Sequence, residues 1–296
     1  MNYPCLPPTP LQSGDLLRVI APSGRLHEKT DFLAGVEVWR QQGYRVQIDD
    51  DGSQGWGYLA APDSRRRDLL AAAWADTDCR GILCVRGGYG GARLLEDWQW
   101  PATEQPKWLI GFSDITSLLW SLTHLGVAGV HGPVLTTLAL EPDWSQQRLF
   151  DLVRGKSIPA LTGETWVAGK VQGFLLPANL TVATHLLHTP IQASLQGVIL
   201  AIEDVTEAPY RIDRMLTHWR ASGMLKSVVG IAIGRFSQCE GTPTSFTVAE
   251  VLRDRLGNLG IPIVAELPFG HDGCNAALPV GVAATLDGDA GQLVIG

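Results

Sequence analysis

The apolar positions of this chain come in short runs separated by longer stretches of helical period. Leu16 to Ala21, Tyr44 to Ile48, Gly81 to Val85 and Trp108 to Ile110 each read as a strand. Between them the spacing predicts helices over about Glu28 to Gln42 and Asp63 to Trp74, and a third follows from Ile115 to His124. Strands alternating with helices in this way predict an α/β fold whose N-terminal part is a parallel sheet covered on both faces.

The rhythm loosens between about Leu140 and Gly169, where Glu141-Pro142-Asp143 and Gly155-Lys156 punctuate polar sequence. This predicts an N-terminal domain over residues 1–145, a linker over 146–168 and a C-terminal domain over 169–296. In the second part strands are expected at Val171 to Phe174, Val198 to Ile202, Val228 to Phe236, Ile261 to Ala265, Gly281 to Leu286 and Gln292 to Ile295. Helices are expected near Leu180 to His188, Tyr210 to Ser222 and Phe246 to Leu256. Short strands broken by Gly and Asp near the C-terminus predict a mixed sheet.

Composition changes the picture mainly by exclusion. With 296 residues, 45% of them hydrophobic and 18% charged, the chain is long enough for a substantial core. A formal net charge of -7 argues against a nucleic-acid partner. The compact basic triplet Arg65-Arg66-Arg67 reads as the solvated face of a helix. The proline-rich start does not read as a signal peptide, and no apolar run approaches a membrane span. Five cysteines, Cys5, Cys79, Cys84, Cys239 and Cys274, lack paired spacing, which predicts reduced thiols and a cytoplasmic location.

The candidate chemistry gathers where strands end. In Gly111-Phe112-Ser113-Asp114-Ile115-Thr116 a serine lies between a strand and a helix, where its hydroxyl is exposed beside helix N–H groups. Ser113 and Asp114 also suit a helix cap, with Asp114 accepting the N–H of Thr116 or Ser117. The stretch is not the hydrolase elbow G-x-S-x-G, because Ile115 stands where the last glycine belongs. The turn Arg86-Gly87-Gly88-Tyr89-Gly90 closes the preceding strand, so an N–H of Gly87 or Gly88, with that of Asp114, would form a two-donor oxyanion hole. Arg86 has the donor pair to take a terminal carboxylate, or it braces the turn. Of the seven histidines, His271 lies in a loop of turn-forming residues, Gly270-His271-Asp272-Gly273, which leaves a ring face free. His124 and His218 fall in helical patterns, and His185 with His188 lacks a third metal ligand. An orienting carboxylate is available at the end of an apolar strand, with Glu203, Asp204 and Glu207 as contenders and a salt bridge to Arg211 or Arg214 as the alternative use.

Taken in order, Ala21-Pro22-Ser23-Gly24, Arg86 to Gly90, Gly111 to Thr116, Glu203-Asp204-Val205, Tyr210 to Leu216 and Gly270-His271 make the chain similar to the LD-carboxypeptidase family, over nearly its whole length. That family includes muramoyl-tetrapeptide carboxypeptidases and microcin C self-immunity peptidases. The resemblance implies a serine nucleophile at Ser113, a triad carboxylate at Glu203 and a base at His271, with Gly88 and Asp114 beside the oxyanion. It implies a flavodoxin-like N-terminal domain, a smaller C-terminal domain, a site between them, a homodimer, and no metal or organic cofactor. The implied substrate is a cytoplasmic murein tetrapeptide ending in D-alanine. The microcin branch implies a peptidyl or aminoacyl nucleotide instead, for which Trp56, Trp98 and Trp166 would supply an aromatic wall. The chain departs from the family at Leu176-Pro177-Ala178-Asn179, where a glycine pair is usual, so the shape of a substrate-side loop is expected to differ there.

Overall fold

The computed structural model describes residues 3–96 and 98–296. Its first sheet is built from β1 (Leu16–Ile20), β2 (Arg45–Ile48), β3 (Cys79–Cys84), β4 (Trp108–Gly111) and β5 (Val130–His131). These five run parallel in the order β2-β1-β3-β4-β5. The connecting helices are α1 (Thr30–Gln41), α2 (Asp63–Ala75), α3 (Gly91–Leu94), α4 (Thr116–Leu122), α5 (Leu135–Leu138) and α6 (Asp143–Val153). Phe32, Val36 and Trp39 recur along α1 at helical spacing and bury against Leu17, Val19 and Ile110 on one face of the sheet. Close helix contact there depends on Gly35, since a Cβ at that position would lie 2.0 Å from the Leu135 carbonyl oxygen of α5.

The stretch expected as a linker contains regular structure. Helix α6 closes the first sheet's core with Leu149, Phe150 and Val153. Strands β6 (Leu161–Thr162) and β7 (Glu164–Val167) follow and become the two edges of the second sheet. Those strands are short, and α6 opens with polar residues, so neither period stands out in the sequence.

The second sheet adds β8 (Lys170–Asn179), β9 (Val198–Val205), β10 (Val228–Ser237) and β11 (Ile263–Ala265), which run parallel to one another, with β7 antiparallel on the outer side of β11. The helices α7 (Leu180–Leu186), α8 (Pro209–Ala221) and α9 (Val248–Leu256) accompany them. Helix α9 begins after Thr247, whose hydroxyl accepts the Glu250 N–H in a capping box. Of the remaining strands, β12 (Leu278–Pro279) leaves this sheet and pairs antiparallel with β5 of the first. Strands β13 (Ala283–Asp287) and β14 (Gln292–Ile295) return to the second sheet as antiparallel members. Among the described residues the second sheet has eight strands to the first's six, a mixed sheet as expected but the wider of the two.

Pro177 and Ala178 lie within β8, in register with Ala201 and Ile202, and do not form a loop. Pairing with β13 ends at Phe174, so the missing N–H of Pro177 breaks no ladder on that side. The Pro177 carbonyl accepts the Trp120 indole N–H at 3.1 Å, and the Asn179 N–H donates to Thr116 at 3.0 Å. Helix α4 is thereby bonded to the second sheet, and one continuous core runs from Leu70 and Leu119 to Leu200 and Trp219.

The basic triplet is split in function. Arg65 is exposed, whereas Arg66 is buried at 1% exposure and is not part of a solvated face. Its guanidinium donates to the carbonyls of Pro22, Ala61 and Gly90 (2.9 Å for the last two) and pairs with Asp63. The loops that leave β1 and β3 are thus held by one side chain. Replacing Arg66 with alanine strands several buried acceptors and is expected to cost about 3–5 kcal/mol, read as a lowered urea midpoint.

Candidate active site

Strand β4 ends at Gly111, and the chain turns into α4 through Ser113-Asp114-Ile115. Ser113 takes φ 61°, the left-handed region that a non-glycine residue enters only under constraint, at about 1–3 kcal/mol. That turn lifts the hydroxyl out of the sheet, an elbow geometry without the usual last glycine. Asp114 supplies the constraint rather than the expected helix cap. Its buried carboxylate accepts the Ser23 hydroxyl and the Gly91 N–H, each at 2.6 Å. Burial pushes the Asp114 carboxyl up, and these two donors oppose the shift.

The glycine turn after β3 packs directly on the serine. A Cβ at Gly87 would fall 2.9 Å from Ser113 Cβ, 3.1 Å from its Oγ and 3.5 Å from the Asp114 nitrogen. A Cβ at Gly88, which sits at φ 108°, would instead fall 3.2 Å from the Gly24 Cα. Arg86 braces this turn by donating to the Arg25 carbonyl at 2.8 Å and also lines the cavity above Ser113.

The second sheet brings in the histidine and the acid. Nδ1 of His271 lies 2.6 Å from Oε2 of Glu203, which is fully buried at the end of β9. Its ring lies 4.6 Å from that of Phe112, the residue before Ser113, and both His271 and Ser113 open into one cavity of about 330 Å³. Burial disfavours the charged ring of His271, but the Glu203 hydrogen bond and charge, aided by Asp204 and Asp272, outweigh it and hold the pKa above the ordinary histidine value. The other acids at this strand end are committed elsewhere. Asp204 accepts the N–H and hydroxyl of Thr181, both at 2.8 Å, while Glu207 pairs with Arg211 at 3.5 Å.

Asn179 is the residue that sequence reasoning passed over. Its side-chain amide donates to Glu203 Oε1 at 3.3 Å and to Asp204 Oδ1 at 3.1 Å, while its Oδ1 caps α7 at Val182. The signal was present as an asparagine opening a helix pattern, but a cap residue does not reveal which acids its other end reaches. His131 was also left without a role. It is fully buried between Phe112 and Phe269, and burial together with nearby His271 pushes its pKa down to about 3, so it stays neutral. His185 is bonded to the Thr181 carbonyl at 2.7 Å, and among the described residues no three metal-ligating side chains gather. Trp56, Trp98 and Trp166 are not among the residues lining the Ser113 cavity; Trp166 lies under the Arg253 guanidinium, 3.9 Å away.

Family models match this chain in two parts: the LD-carboxypeptidase N-terminal domain over residues 17–132 and the LD-carboxypeptidase C-terminal domain over residues 172–286. The chain belongs to the LD-carboxypeptidase family. It is a serine-type carboxypeptidase. A carboxypeptidase-like protein of Synechocystis sp. is 59% identical over 97% of this chain and 96% of its own length. The murein tetrapeptide carboxypeptidase of Pseudomonas aeruginosa is 32% identical over 78% and 80%. Among solved structures, a microcin C7 self-immunity protein superposes with a TM-score of 0.89 over 97% of both chains; at 21% identity this likeness is one of fold. Among the described residues, no helix is long and apolar enough to cross a membrane.

The raised His271 pKa has a testable sign. Followed by NMR, His271 is expected to lose its proton at a pH above the ordinary value of about 6.5. In Glu203→Gln the favourable charge is gone while burial remains, so the titration should move down. An unchanged midpoint in that variant would contradict the assignment of Glu203 as the cause.

Proposed function

We propose that this carboxypeptidase hydrolyses the L,D-peptide bond before the C-terminal D-alanine of murein tetrapeptide, with Ser113 as nucleophile, His271 as base and Glu203 as its orienting carboxylate. The observation that carries the reading is the shared cavity, in which a strained serine and a carboxylate-bound histidine face the same space. Glu203 occupies Nδ1, which leaves Nε2 to take the proton of Ser113 as Oγ attacks the penultimate carbonyl. The N–H groups of Gly88 and Asp114 receive the oxyanion. Collapse expels D-alanine, which takes the proton from His271, and a water deprotonated by the same nitrogen then releases the shortened peptide from Ser113.

A cavity of about 330 Å³ is at the small end for ligand sites and suits the end of a peptide, not a whole muropeptide. Arg86 on its wall retains donors for the terminal carboxylate beyond the one spent on Arg25. The murein reading draws support from the similarity to the Pseudomonas enzyme. A second reading, hydrolysis of a peptidyl or aminoacyl nucleotide, draws support from the nearly complete fold match to a microcin immunity protein. The order β2-β1-β3-β4-β5 supports a flavodoxin-like first domain. The free thiols of Cys79, Cys84, Cys239 and Cys274 support action in the reducing cytoplasm, and the family resemblance supports a homodimer, which light scattering would test.

Release of D-alanine from purified murein tetrapeptide should be rapid for the wild type and fall at least about 10³-fold in Ser113→Ala. An aminoacyl sulfamoyl adenosine assayed in parallel separates the two substrates: cleavage of it alone would replace the murein reading with the second. Gly87→Ala places a methyl against Ser113 without forcing an unusual φ. It should lower kcat by about tenfold or more while the fold, followed by circular dichroism, stays intact.

A further inference from the structure

His271 is carried by the stretch between β11 and β12, which leaves the second sheet and ends in the first. The stretch is fixed on the first domain by hydrogen bonds around Glu141, in the Glu-Pro-Asp punctuation before α6. Glu141 is buried, and its Oε2 accepts both the Asn275 N–H and the Ser145 hydroxyl at 2.8 Å. Asn275, itself 1% exposed, turns its Oδ1 onto the Gly270 N–H at 3.2 Å, next to His271 in the chain. Two residues further on, the Ala277 carbonyl accepts Nε of buried Arg148 at 3.0 Å. Gly270 sits at φ 135° with the Arg235 backbone oxygen 3.1 Å from the place a Cβ would take, so the chain has little freedom to reroute there.

We propose that Glu141 is a positioning residue for His271, holding the histidine-bearing loop on the domain that carries Ser113 through the relay Glu141, Asn275, Gly270. The proposal rests on the reading of His271 as the base. Glu141 does not line the cavity and touches neither Ser113 nor His271, so its effect on the reaction runs through the loop alone. A single carboxylate oxygen that takes one donor from α6 and one from the loop fixes their separation. A longer or absent acceptor leaves the Asn275 N–H without its buried partner and frees the loop to shift. Displacement of a general base by an ångström is enough to slow proton transfer while the rest of the cavity lining, all of it from residues 26–137, stays in place.

The test compares Glu141→Ala, Glu141→Gln and His271→Ala, each first shown to be folded by circular dichroism. Glu141→Ala should lower kcat by about ten- to a hundredfold with KM held within about twofold, and Glu141→Gln, which keeps an acceptor oxygen, should recover most of the rate. The far-downfield proton of the His271–Glu203 hydrogen bond, sharp in the wild type, should broaden in the alanine variant and return in the glutamine variant. A folded Glu141→Ala with wild-type kcat and an unaltered downfield signal would overturn the proposal. If that variant does not fold, Asn275→Ala removes the Gly270 anchor alone and is read by the same two criteria. Activity persisting in His271→Ala would instead remove the underlying assignment of the base. A dead His271→Ala beside a fully active Glu141→Ala would remove only the relay.

Discussion

The site depends on one buried carboxylate. Asp114 draws the Ser23 hydroxyl and the Gly91 N–H onto the same oxygen, so the loops that leave β1, β3 and β4 converge on a single point. Arg66 binds two of the same loops through the carbonyls of Pro22 and Gly90. An acid and a base, both out of water, bind backbone groups that would otherwise have no partners. The left-handed backbone of Ser113 is affordable in that setting because its neighbours on every side are fixed. In open parallel sheets ligands gather outside the carboxyl ends of the strands, and Ser113 lies at the carboxyl end of β4.

The charge pattern is equally economical. Three acids lie within five residues, from Glu203 to Glu207, yet each has a separate duty: one holds the histidine, one holds Thr181 and one pairs with arginine. Asn179 keeps the first two apart in function by bridging them with one amide. The neighbouring imidazole of His131 stays uncharged, so His271 is the only ring in this cluster whose proton Glu203 stabilises.

Much of this was legible in the chain because it depends on local pattern. The strand runs, the helical spacing of Phe32, Val36 and Trp39, and the serine between strand and helix are all short-range signals. What escaped notice depends on long-range partners. Arg66 looks like its neighbours in the triplet, and only the tertiary fold makes its position an interior one. Pro177 and Ala178 suggested an altered substrate-side loop because the resemblance puts a glycine pair there; the structure leaves that part of β8 without a partner on one side, where a proline is tolerated. Asp114 had the composition of a helix cap, but its actual donors lie 91 and 23 residues away in the chain. Helix α6 was hidden by its polar opening, although Leu149, Phe150 and Val153 lie on one face.

Strand β12 carries a consequence for how such a protein can be divided. It is only two residues long, yet it covers the outer edge of β5, which would otherwise present unpaired backbone groups to other chains. That cover comes from late in the sequence, beyond most of the second sheet. The two family segments therefore do not behave as interchangeable cassettes: a first half inherited alone would have a raw, adhesive sheet edge, and a second half alone would have a strand with nowhere to go.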